Sequence, residues 1–114
     1  MHWRTARKEY LLHKEKTRVF VFNKIEHYNK IYNFTFNRIS IKNQKSRWGS
    51  CSSRKNINFN YRLGLISEHL AEYVVVHELC HLEQLNHSQA FWNLVAITIP
   101  DYEKRRNELK KIRI

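Results

Sequence analysis

Two glycines and one proline in 114 residues leave little material for tight turns. That scarcity argues against a turn-rich all-β fold and for helices joined by a few strands. Cysteine is equally sparse. Cys51 and Cys80 stand far apart and in no C-x-x-C pair, so nothing demands a disulfide, and a reduced, cytoplasmic chain is the expectation. Long apolar runs are missing. The longest reach four residues, as at Tyr73 to Val76, far too short to span a bilayer, and the opening residues Met1 to Lys8 have no apolar core behind them, so neither a membrane segment nor a signal peptide is expected. The sequence also shows no Gly-rich phosphate loop, internal repeat, linker or low-complexity segment.

What is present is ordinary globular material: 42% hydrophobic and 13% aromatic residues, in a length that suits one domain over residues 1–114. The formal net charge is +11, from 21 Lys and Arg against 10 Asp and Glu. Such a surface attracts nucleic acid or acidic partners by its long-range field, but charge alone describes a solvated basic surface equally well. The cations are spread over both ends of the chain rather than held in one tract.

Residues 1–32 read as one long helix, with Phe22, Ile25, Tyr28 and Ile31 on one face and a candidate break near Thr17. Residues 34–42 alternate apolar and polar with a slip at Asn37-Arg38 that suggests a bulge, residues 45–52 form a second extended piece, and Ile57 to Leu63 alternate cleanly. Together these predict a three-stranded antiparallel meander. A mostly buried helix follows from Ser67 to about Leu85, with Asn86 expected to end it in the left-handed conformation. Ser88 is a cap for a helix that Pro100 stops, and Asp101 a cap for a last, basic helix. The sum is an α+β fold.

Chemistry concentrates in His77-Glu78-Leu79-Cys80-His81. Residues four apart on a helix stack on one face, so His77 and His81 can reach one ion. Glu78 projects about 100° around the axis, which suits holding and deprotonating a water beside that ion better than ligating it. Zinc lowers the pKa of a bound water from about 15.7 towards about 7, and a glutamate can carry its proton to a leaving amine. A catalytic zinc wants three protein ligands and one open position, and His87, just past the expected helix end, is the best third candidate. With seven His and nine Glu in the chain, this five-residue pattern arises by chance about 3% of the time, so its spacing alone is only suggestive. Its setting adds weight. Two histidines and a glutamate interrupt the most apolar stretch of the sequence, and burying such groups without partners is costly.

Several segments, taken in order, carry a resemblance. They are Gln44 to Ser52, Asn58 to Leu63, Tyr73 to Leu82, and Asn86-His87-Ser88 with Phe91-Trp92. Across about residues 17–103 the chain resembles the YgjP-like metallopeptidase family, which is related to SprT-like and WLM-type zinc peptidases. The resemblance implies a zincin-like, minigluzincin core of a helix, a short antiparallel sheet and an active-site helix. It implies one zinc on His77, His81 and His87 with Glu78 as base, and a peptide or protein substrate. It also implies that Arg47, Trp48, Gly49, Ser50 and Cys51 form the edge strand that binds substrate in extended form, Gly49 letting a backbone come close. Trp48 as core, and Cys51 and Cys80 as small buried residues rather than ligands, are the plainer readings of those side chains. Phe91 and Trp92 are expected to hold the His87 turn. Family members usually carry strands ahead of the first helix. The chain begins almost at that helix, as a fragment, a minimal protein or one completed by a partner chain would, and the departure bears on substrate selection more than on zinc.

Two other readings compete. A zinc hydrolase could act on another bond, such as a nucleotide phosphoanhydride, in which case basic side chains should converge on the metal. A nucleic-acid-associated protein with a structural metal is motivated by Lys104, Arg105, Arg106, Lys110, Lys111 and Arg113.

Overall fold

The computed structural model describes residues 3–114, so the first two residues of the expected N-terminal helix lie outside it. The helix forms without a break as α1 (Trp3–Tyr32). Thr17 sits inside it, fully buried, and its Oγ1 donates to the Tyr61 carbonyl at 2.6 Å. Gly64 lies directly against that hydroxyl, where any Cβ would collide with it. The buried face of α1 is Thr17, Val21, Ile25 and Tyr28, while Phe22 and Ile31 are exposed. The expected stripe is therefore rotated by one position at two of its members. Asn33, at φ 56°, ends the helix in the left-handed conformation. The Asn29 side chain spans the turn by bonding both the N–H and the carbonyl of Phe34.

Three strands follow, β1 (Arg38–Lys42), β2 (Gly49–Cys51) and β3 (Asn56–Asn60). The sheet is mixed rather than purely antiparallel. Its order is β1-β3-β2, with β1 parallel to β3 and β2 antiparallel to it. The slip at Asn37-Arg38 marks the start of β1, not a bulge within it. The physical reason for the order is burial: Ile57 and Phe59 of β3 are both fully buried, so β3 takes the middle. The segment 43–48 carries the chain past β3, and β2 returns along its far side. The buried Asn60 side chain holds this crossing by donating to the carbonyls of Gln44 and Arg47 at 2.8 and 3.0 Å. Asn60 also ends β3, because its Oδ1 accepts from Arg62 N and starts a 3-10 turn, Tyr61–Leu65.

Helix α2 (Glu68–Cys80) is apolar and buried on most sides, with Leu70, Ala71, Tyr73 to Val76, Leu79 and Cys80 in the core. It stops earlier than Leu85. Residues 81–83 continue as turns, and Asn86 is not left-handed. The Ser67 side chain makes no cap bond, nor does that of Asp101, which pairs with Arg105 instead. Ser88 does cap α3 (Gln89–Thr98), accepting from Phe91 N, and α4 (Tyr102–Lys110) follows Pro100. No helix of the described residues is long and apolar enough to cross a membrane.

Glu72 ties α1, α2 and α4 together. Its carboxylate takes Lys24 Nζ at 2.7 Å, Tyr28 OH at 3.0 Å and Arg105 at 3.6 Å. Burial by itself would raise this carboxyl, but the Lys24 and Tyr28 hydrogen bonds and the Lys24 and Arg105 charges outweigh it and hold it below its ordinary 4.5. A group lowered in this way stabilises the fold above its unfolded value and loses that contribution as pH falls through the folded one. Glu72→Gln should cost about 1–3 kcal/mol at about pH 7. The deficit, measured by urea unfolding, should shrink as pH drops below 4.5. An equal deficit at both pH values would show that the charge of Glu72 is not what binds the helices.

Candidate metal centre

The sequence spacing puts His77 and His81 on one face of the end of α2, and the early stop of that helix brings His87 to them. The three Nε2 atoms form a triangle, each 3.1 Å from the other two. The aromatic residues expected to support the turn do so. Phe91 stacks on His81 at 4.3 Å, Trp92 stacks on His87 at 5.8 Å, and both meet the edge of His77. Trp92 stacks in turn on Tyr102 of α4.

The far sides of the rings are held as well. His81 Nδ1–H donates to the Gln84 carbonyl at 2.8 Å, which leaves Nε2 of the neutral ring as a bare lone pair. His77 Nδ1 lies 3.1 Å from the Tyr73 hydroxyl, one turn back on the same helix. Burial, with His81, His87 and Arg106 adding to it, lowers His77 to about 3, and burial also lowers His81. Both rings are thus neutral near pH 7, as metal ligands must be.

A cation fits this arrangement better than hydrogen bonding does. His81 offers only a lone pair, so N–H bonds cannot satisfy all three contacts, whereas one central cation satisfies every nitrogen at once. On a tetrahedral zinc with Zn–N of about 2.0–2.1 Å, ligand nitrogens lie about 3.3 Å apart, close to the observed triangle. Among the described residues these three are the one grouping of His, Cys, Asp or Glu that could hold a metal. Neither cysteine joins it. Both are free, and burial raises Cys51 to about 11 and Cys80 to about 12.

Glu78 is buried, and among the described residues it accepts no hydrogen bond from the protein. Burial pushes its carboxyl up to about 8, with the Arg47 charge pulling the other way. It lies under β2. A Cβ placed on Gly49 would meet Glu78 Cγ at 3.0 Å and Oε2 at 3.1 Å, so the missing side chain makes room for this carboxylate. That is a closer constraint than the backbone approach expected from sequence.

The segment Arg47 to Cys51 divides between two faces. Gly49 faces Glu78, and the strand alternation puts Cys51 on the same side. Ser50 turns away and accepts from Asn58 Nδ2 at 3.3 Å and Gln44 Nε2 at 3.5 Å. Trp48 is half-buried against the core. Trp48 accepts from Asn60 N and Ser52 donates to Asn56, so the ladder leaves the N–H and C=O of Gly49 and Cys51 on the free side of the edge strand. Sequence reasoning missed Tyr73, although a tyrosine four residues before His77 on the same helix was a readable signal. It also missed Asn60, whose role depends on the crossing of 43–48 and left no mark in the pattern.

The sequence matches the family model described as YgjP-like, metallopeptidase domain, over residues 3–112. No curated protein matches it. Among solved structures, the crystal structure of the metallopeptidase zymogen abylysin of Pyrococcus abyssi superimposes with a TM-score of 0.72. The match covers 80% of this chain and 92% of that one at 23% identity, and shows that the two share a fold.

The triangle predicts one tight metal equivalent. Titration of zinc into the purified protein should give that stoichiometry, and His81→Ala or His87→Ala should abolish it. Tyr73→Phe should keep the stoichiometry and weaken affinity by about 10–100-fold. Free zinc at about a hundred times Kd should raise stability by about 2.7 kcal/mol. Unchanged affinity in His87→Ala would remove that residue from the site.

Proposed function

This chain belongs to the YgjP-like metallopeptidase family, and on that premise we propose that it is a zinc-dependent peptidase with Glu78 as general base. His77, His81 and His87 would hold the ion through Nε2. When bound, zinc supplies a Lewis acid that acidifies water and polarises a carbonyl. Tyr73 and the Gln84 carbonyl keep the ligand rings turned inward. Glu78 takes a proton from water at its carboxylate and passes it to the departing amine. Its burial suits this role, since a carboxyl lifted towards neutral holds a proton long enough to deliver it. The Arg47 charge opposes that rise and pulls the carboxyl back towards the ionised form a base needs. The main chain of Gly49 and Cys51 pairs with an extended substrate, as an open sheet edge can.

The observation that carries this reading is a carboxylate with no protein partner among the described residues, buried except for oxygens that still reach solvent, beside three converging imidazoles. Structural ion pairs do not leave a glutamate in that state. Incubation with a mixed peptide library tests it. Cleavage should stop with a chelator, return with zinc, and fall by about 10²–10⁴-fold in Glu78→Gln while zinc content stays at the wild-type level. Cleavage that survives Glu78→Gln would sink the assignment.

Unpaired cations near the site favour one second reading. Arg47 acts on Glu78 and Arg106 on His77, and neither has an ion-pair partner among the described residues. A phosphoanhydride could use them. Phosphate release from nucleoside triphosphates, lost in Glu78→Gln and unaccompanied by peptide cleavage, would replace the peptidase reading.

The Gly49 contact yields a further expectation. Gly49→Ala should push Glu78 aside and lower kcat by roughly 100-fold, the scale of about a 1 Å misplacement, with zinc retained. A fully active Gly49→Ala protein would show that the carboxylate does not need that space.

A further inference from the structure

A cleft opens next to the segment that leads into Gly49. Its volume is about 350 Å³, and it lies between the segment entering β2 and the end of α4. Trp48, Leu109 and Ile112 give it an apolar lining, and Lys45, Lys110 and Arg113 bring three cations to it. No acidic side chain lines it among the described residues.

Both walls of this cleft continue from the site. Trp48 is the residue before Gly49, about 3.3 Å further along the strand. Arg106, which lies over the Trp92 ring beside the histidines, is one helical turn from Lys110, about 5.4–6 Å along α4. A chain lying along β2 above Glu78 therefore reaches the cleft within one or two residues.

The charge here is distinctive in its gathering. Three cations line one concavity with no acidic side chain among them, whereas Lys24 pairs with Glu68 and Glu72, Arg105 with Glu72 and Asp101, and Arg18 with Glu15. Lys45, Lys110 and Arg113 have no such partner among the described residues, and all three are exposed. Like charges gathered in one concavity repel, and an anion relieves them. The apolar lining suits the methylenes of a carboxylate side chain rather than a bare ion.

We propose that this cleft is a subsite for an acidic side chain, aspartate or glutamate, of an extended peptide paired with β2. The proposal rests on the peptidase reading and adds the class of sequence that the site selects. Lys45 closes the strand side, Lys110 and Arg113 close the helix side, and Trp48 forms the floor.

The test uses zinc-loaded protein and a set of acetylated, amidated peptides sharing one cleavable core. Glutamate is placed at each position in turn and compared with glutamine there. At one position, a residue or two from the scissile bond, glutamate should raise kcat/KM about tenfold, the sum expected of three exposed cations. That ratio should drop to about twofold or less in Lys110→Gln/Arg113→Gln and shrink in about 0.5 M salt. Lys45→Gln, on the opposite wall, should reduce it independently. The same ratio should appear as binding to Glu78→Gln, read by fluorescence polarisation. A core that is cleaved with a ratio near one everywhere overturns the subsite and leaves the peptidase intact. A ratio that persists in both variants overturns it as well. Displacement of the glutamate peptide by a single-stranded oligonucleotide at matched charge would assign the cleft to nucleic acid instead. Failure to cleave or bind any peptide would overturn the subsite and the peptidase reading together.

Discussion

Three imidazole Nε2 atoms held 3.1 Å apart are the constraint on which the architecture turns. Ring nitrogens brought this close gain little from one another, so the surrounding structure must hold them there. Helix α2 does part of this by spacing, because residues four apart share a face. The remainder comes from stopping that helix early, so that the chain can reverse within six residues and present His87. Ser88 then anchors α3 by its cap, and α3 returns Phe91 and Trp92 as the stacked backing of the cluster. A longer α2 would carry His87 away from the other two. A cation bound there would supply the compensation, and would make folding energy and metal binding one quantity at the site.

The sheet serves the same centre. Its mixed topology places β3 in the middle and leaves β2 on the edge, above Glu78. An antiparallel meander in chain order would have put β2 between its neighbours, with both sides of its backbone already paired. The buried Asn60 is the device that permits the alternative, since its amide holds the crossing segment that carries the chain round the end of β3. An unpaired strand edge above Glu78 and the sheet order are therefore a single feature, and Gly49 joins them by giving Glu78 its room.

Much of this was legible in the residues. The helix positions, the buried character of α2, the three histidines and the Ser88 cap follow from local rules of spacing and capping. What was not legible was set by contacts distant in sequence. The strand order depends on which strand is most buried, and alternation reads the same in a central strand as in an edge one. The α1 stripe was displaced to Thr17 and Val21 because Thr17 finds the Tyr61 carbonyl 44 residues away and Gly64 leaves space for it. Asn86 offered a plausible left-handed stop, but the reversal that brings His87 inward needs no positive φ there. Gly49 was read as a place for a substrate backbone to come close, and the groups that lie against it are the Glu78 side chain and the Asn58 carbonyl.

The most direct test of the account is X-ray absorption at the zinc edge of the loaded protein. The arrangement predicts three imidazole nitrogens at about 2.0–2.1 Å and one further light atom, with one nitrogen lost in His87→Ala. Sulfur at about 2.3 Å, from Cys51 or Cys80, would contradict it, as would a spectrum that His87→Ala leaves unchanged.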